Sequence, residues 1–186
     1  MPMTDGDNTN TTQDTAAKRL RDLHDYYLKH PVTGPTARRA PTTSASAPLS
    51  LATLDHIQSS VREVAEQTLA ANPDAGRAPS RADAVYDWCR QQTEHADEIA
   101  QQRLESIEYR HYLEHAIRAG DTKVVRRHRC PSCGTAGLLW QQAMGRATCV
   151  NLHCARRNGG LSRSWTLAYL AYEHVAANAS LKECAT

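Results

Sequence analysis

Phenylalanine is absent from the 186 residues, so a core must be assembled from aliphatic side chains, seven tyrosines and three tryptophans. No apolar run approaches the roughly 20 residues that a membrane-spanning helix needs. The polar first residues lack the charged-then-apolar order of an export leader. These absences predict a cytoplasmic protein with no membrane partner. Glycine is sparse and nowhere arranged as a phosphate-cradling loop. No nucleophile stands beside an evident base, which predicts a protein that is not an enzyme. Finally, residues 122–163 contain no carboxylate at all.

That same stretch holds four of the six cysteines, as Cys130-Pro-Ser-Cys133 and Cys149-Val-Asn-Leu-His-Cys154. Two thiolates two residues apart can grip one side of a tetrahedral zinc ion, and a second pair can close the other side. Four protein ligands leave no open position, so one structural Zn²⁺ per chain is expected. His153, next to Cys154, is an alternative fourth ligand, because the second pair is spaced by four residues. Four cysteines are preferred, since both loops then use the same chemistry. Paired zinc spacing without an export leader also argues for a reducing compartment over a disulfide scaffold. Cys89 and Cys184, outside the pairs, are expected as buried free thiols. His128, just before the first pair, is expected at the surface.

Between the pairs, Leu138-Leu139-Trp140 reads as a strand, Met144-Gly145-Arg146 as a turn and Ala147-Thr148-Cys149-Val150 as the returning strand. Gly134 suits the turn in which backbone N–H groups curl toward sulfur. Trp140 is expected to pack on a helix beginning near Trp165, with stacking on an unpaired base as the other possibility. Residues 130–154 resemble a zinc ribbon. From there to the end, Cys-Pro-x-Cys-Gly, the hairpin tryptophan, Cys-x-Asn-x-x-Cys and Ser-x-Ser-Trp-x-Leu resemble small zinc-ribbon proteins of actinobacteria and their phages. Eighteen arginines against four lysines fit the GC-rich coding of that setting. The resemblance implies a fold and a setting, and no particular activity.

The net charge of +2 conceals sign separation. Residues 49–121 carry thirteen acidic and seven basic side chains, whereas residues 122–163 carry eight basic ones alone. Those eight are Lys123, Arg126, Arg127, Arg129, Arg146, Arg156, Arg157 and Arg163. If zinc draws the loops together, the guanidinium groups gather on one small surface, where their geometry matches phosphate. The alternative is a basic face that balances the acidic helices within the chain or across a dimer.

The fold class predicted is mainly α with a small β ribbon, in three parts. Residues 1–48 read as a disordered tail with a short helix over 15–29 and a proline-rich linker. Residues 49–121 read as an acidic helical region able to bind a protein partner or a second copy. Residues 122–186 read as the basic ribbon and a final helix on Leu167, Leu170, Ala171 and Val175. Within the middle part, Leu51, Leu54, Ile57, Val61, Val64 and Thr68 mark one helix that ends before Asn72-Pro73. Ser80 and Asp83 have capping-box spacing. Helix can then run from Arg81 to Ala119 with a break near Thr93, and Ile99 falls on its apolar face. His111-Tyr-Leu-Glu114-His115 matches an inverted zinc-peptidase pattern. The match is short and no further ligand stands near it, so it reads as coincidence. The function expected is a non-enzymatic nucleic-acid-binding or regulatory protein, the alternative being an adapter that binds other proteins.

Overall fold

The structure, a computed structural model, describes residues 15–29 and 51–183. The expected tail, the proline-rich linker and Cys184 lie outside them. Seven helices and one small sheet follow in the order α1 (Ala16–Lys29), α2 (Leu51–Ala71), α3 (Val85–Gln92), α4 (Glu98–Arg118), α5 (Lys123–Arg126), β1 (Leu139–Gln141), β2 (Arg146–Thr148), α6 (Leu152–Arg156), β3 (Ser164–Trp165) and α7 (Leu167–Glu183). Among the described residues no helix is long and apolar enough to cross a membrane.

Helix α4 is the axis on which α1, α2 and α7 pack. Its C-terminal half is buried on almost every side, through His111, Tyr112, Leu113, His115, Ala116 and Ile117. It starts where Asp97 accepts a hydrogen bond from the Ala100 N–H, a side-chain cap on an unpaired helix donor. The break at Thr93 is made by its hydroxyl, which donates to the Cys89 carbonyl as α3 ends. Ile99 departs from its expected place: it is 80% exposed at the first turn of α4.

Helix α1 docks on the bundle, burying Ala16, Leu20 and Leu23. Two ion pairs fix it at the rim, Arg19 to Asp121 at 3.1 Å and Arg21 to Asp83 at 2.6 Å. Asp83 therefore serves arginines, and the predicted capping box does not form: the residue before the 3-10 turn at Ala82–Ala84 is Arg81, which has no side-chain cap. The buried stripe of α2 also differs from the apolar pattern. It runs through Thr53, Ile57, Ser60, Val64 and Thr68, with Leu54 and Val61 only half-buried. Ser60 and Thr68 tolerate this because each hydroxyl donates to the carbonyl four residues earlier.

The sheet is antiparallel in the order β1-β2-β3. The hairpin was legible in the sequence, but the third strand was not. Ser164 pairs with Thr148, and Thr166 caps α7, accepting from Tyr169 N–H. Trp140 lies opposite Ala147, and Ala147 opposite Trp165, so the three share one face. Ala147 is fully buried there, and both tryptophans pack against the core. This agrees with Trp140 as a packing residue.

Candidate metal centre and the polar chain in the bundle

Four sulfurs converge at one end of the sheet. Cys130, Cys133, Cys149 and Cys154 each place Sγ within 4.8 Å of the other three, close enough to hold one metal ion. All four are free thiols, and Cys133 Sγ stands 3.7 Å from Cys149 Sγ, far beyond a disulfide bond.

The first loop forms because Gly134 turns at φ +70, letting its N–H reach the Cys130 carbonyl at 2.8 Å. Cys130 N–H then donates to the Thr135 carbonyl at 2.9 Å. The second pair sits on a different scaffold. Asn151 caps α6 by accepting from His153 N–H at 2.9 Å, and the helical turn carries Cys154 back toward Cys149. That turn accounts for the wider spacing. His153 is exposed and outside the sulfur cluster.

The thiols ionise unequally. Hydrogen bonds from Thr135 hold Cys133 down at about 6, whereas burial pushes Cys149 up to about 12. A divalent cation reverses that burden, because it supplies the counter-charge that buried thiolates need. Thiolate donors in a closed set of four suit a structural ion.

The basic residues surround this cluster in the chain. Lys123, Arg126, Arg127, Arg129, Arg146, Arg156 and Arg157 are exposed, while Arg163 is half-buried and its Nε has no partner. Arg129 donates to the Gly134 carbonyl at 3.1 Å. No carboxylate of the described residues pairs with any of the eight. In the bundle, by contrast, Glu63, Asp83, Asp87, Glu108 and Asp121 each meet an arginine from residues 19–110. Valines 124 and 125 of α5 are buried and anchor this flank to the body.

His128 is not a surface residue. It is 9% exposed, its Nε2 lies 3.3 Å from the Tyr109 hydroxyl, and burial pushes it down to about 4. Cys89 is buried and free, as expected.

Sequence reasoning missed a second cluster. His56 Nε2 stands 3.0 Å from His115 Nδ1, and His115 Nε2 stands 3.0 Å from the Tyr86 hydroxyl. That hydroxyl is 3.1 Å from His111 Nδ1, and His111 Nε2 is 3.1 Å from Glu63 Oε2. Arg110 donates to the other carboxylate oxygen. Burial of Glu63 works against its charge, but the bonds from Arg110 and His111 outweigh it and hold the carboxyl below its ordinary range. Burial also pushes His56 and His111 down to about 4 and His115 to about 2, so all three are neutral imidazoles near pH 7. The HxxEH spacing pointed at His111 and His115, but their partners come from α2 and α3, and Glu114 instead faces Arg110 at 3.8 Å. Among the described residues only the four cysteines form a group suited to a metal ion.

No protein-family model, curated protein or solved structure matches the chain.

Proposed function

We propose that the four cysteines hold a structural zinc ion and that the zinc-folded basic segment binds nucleic-acid phosphate, without catalysis. One observation carries this reading: among the described residues none of the eight cations between Lys123 and Arg163 pairs with a carboxylate, while Glu63, Asp83, Asp87, Glu108 and Asp121 pair with arginines from residues 19–110. No direct ion pair within the described residues accounts for the basic face, which favours an external anion. Zinc is the natural ion for four thiolates in a closed set. Folding of so short a hairpin would draw on its binding energy, on the order of 10 kcal/mol. A ribbon of this kind agrees with the resemblance to small zinc-ribbon proteins of actinobacteria and phages, and with a cytoplasmic, regulatory role.

The test is fluorescence anisotropy of the zinc-loaded protein with duplex and single-stranded DNA and RNA at two salt concentrations. Binding should weaken steeply with salt and vanish when Arg126, Arg127 and Arg129 become alanine. Flat traces on every substrate would remove the proposal.

A second reading is a protein-binding adapter. It is favoured by Val150 and Leu152, between the second pair of cysteines, and Leu161 beyond them, which are 57%, 74% and 72% exposed. Apolar side chains this exposed beside a rigid centre suit a protein partner. Its mark would be a stoichiometric complex that survives moderate salt.

A further inference from the structure

The polar chain that crosses the bundle has one consistent direction, and the reason lies at its Glu63 end. A carboxylate can only accept, so His111 carries its proton on Nε2, facing Glu63 Oε2. Arg110 Nη2 also stands 3.3 Å from His111 Nε2, but it is a donor already committed to Glu63, and the carboxylate is the closer group. In a neutral imidazole the other nitrogen is then bare. Tyr86 must therefore donate its single hydroxyl hydrogen to His111 Nδ1. Tyr86 Oη is left to accept from His115 Nε2, and His115 Nδ1 to accept from His56 Nε2. One carboxylate thus sets three tautomers, two on α4 and one on its own helix α2.

The interior of this chain is sealed. Tyr86, His111 and His115 are at most 1% exposed, whereas His56 and Glu63 are only partly buried. Glu63 opens into a cleft of about 490 Å³ between α2, α4 and α7, with Ile107, Tyr172 and Val175 on its apolar wall. Arg103 and Arg110 line the same cleft, and Arg103 has no carboxylate partner among the described residues.

We propose that His56, His115, Tyr86, His111 and Glu63 form a proton relay from solvent to this cleft, and that the cleft takes the anion of a small, apolar weak acid. The two arginines attract the anion, whose charge beside Glu63 offsets the hold of Arg110 and His111 that otherwise keeps the carboxyl ionised. The relay then protonates Glu63 so that ligand and carboxyl share a proton instead of repelling each other. A proton arriving at His56 Nδ1 releases the Nε2 proton to His115 Nδ1. His115 gives its Nε2 proton to Tyr86 Oη, Tyr86 passes its own to His111 Nδ1, and His111 passes its Nε2 proton to Glu63. One proton enters, one reaches the carboxyl, and no electrons change hands. The three imidazoles end with the proton on Nδ1, so the next transfer runs back toward His56. Because burial disfavours an imidazolium on His115, the hops are concerted.

Nitrogen-15 NMR of the imidazoles tests this, with benzoate as the probe. In the wild-type protein the three histidines are Nε2–H tautomers, and saturating benzoate converts buried His115 to Nδ1–H while calorimetry in buffers of different ionisation enthalpy reads the uptake of about one proton. Glu63→Gln presents an N–H to His111, as the protonated carboxyl would. Its His115 is Nδ1–H from the start, and it binds benzoate without proton uptake. In Tyr86→Phe benzoate leaves His115 unchanged, because the link is cut. His115 remaining Nε2–H in Glu63→Gln would overturn the relay. Failure of benzoate to shift the Ile107 and Val175 methyl resonances at millimolar concentration would overturn the ligand assignment.

Discussion

Asn151 Nδ2 lies 2.8 Å from Thr135 Oγ1, so a side chain of the second cysteine loop grips the first. The same amide nitrogen is 3.8 Å from Cys133 Sγ, and its oxygen caps α6. One residue therefore sets the register between the two halves of the sulfur cluster. Replacing Asn151 with alanine should leave one metal per chain and weaken its affinity about 10- to 100-fold, the usual cost of losing a group that orients ligands. Competition with a chromophoric chelator reads that change, and unaltered affinity would contradict the role.

Metal content separates the clustered cysteines from the isolated one. Elemental analysis should find one zinc per chain in the wild type and in Cys89→Ser, and far less in Cys130→Ser or Cys154→Ser. Chelation should disorder the β1–β3 region while most helical circular dichroism survives, because none of the four cysteines lies on α1, α2, α3, α4 or α7.

Each phosphate contact contributes a fixed increment to salt dependence. Arg157→Ala and Arg126→Ala should each lower the log–log salt slope of nucleic-acid binding by about 0.9 on duplex DNA. Arg62→Ala, on the exposed face of α2, should leave the slope alone. Equal effects from all three variants would point to net charge and not to a site.

Acid should destabilise the fold through the buried histidines. His111 and His115 titrate at about 4 and about 2 when folded, below the ordinary value of 6.5. The unfolded chain thus binds more protons below pH 6.5. Their contribution is complete above that pH and is lost progressively as pH falls toward the folded values. For His111 the loss is on the order of 3 kcal/mol by pH 4. Urea midpoints measured from pH 7 to 4 should fall accordingly, and a level profile would count against neutral burial.

Leu23, fully buried where α1 meets the bundle, should cost about 2–5 kcal/mol when truncated to alanine. Limited proteolysis should then cut near α1 first. Protection unchanged from wild type would mean that α1 is held by its ion pairs alone.

Periodicity and punctuation made most helices legible. Asn72-Pro73 ended α2, Gly120-Asp121 ended α4, and the Leu170, Ala171, Val175 face located α7. Cysteine spacing named the four residues whose sulfurs meet, because the two loops that carry them are local. The same local logic failed where a choice depended on distant partners. Asp83 abandoned a cap for Arg21, 62 residues away. Ser164 joined a strand because Thr148 was there to pair with it.

The sequence by itself determined the four-cysteine cluster, the helical class and the separation of charge, since each depends on residue type and short spacing. Only the tertiary structure decided that α1 docks, that His128 is buried and that, among the described residues, none of the eight basic residues forms an ion pair. It alone also made His111 and His115 part of a chain. Their partners, His56, Glu63 and Tyr86, lie 25 to 59 residues away along the chain. Packing of three helices brings those polar atoms within 3.1 Å of each other, and no periodicity encodes which polar groups will meet.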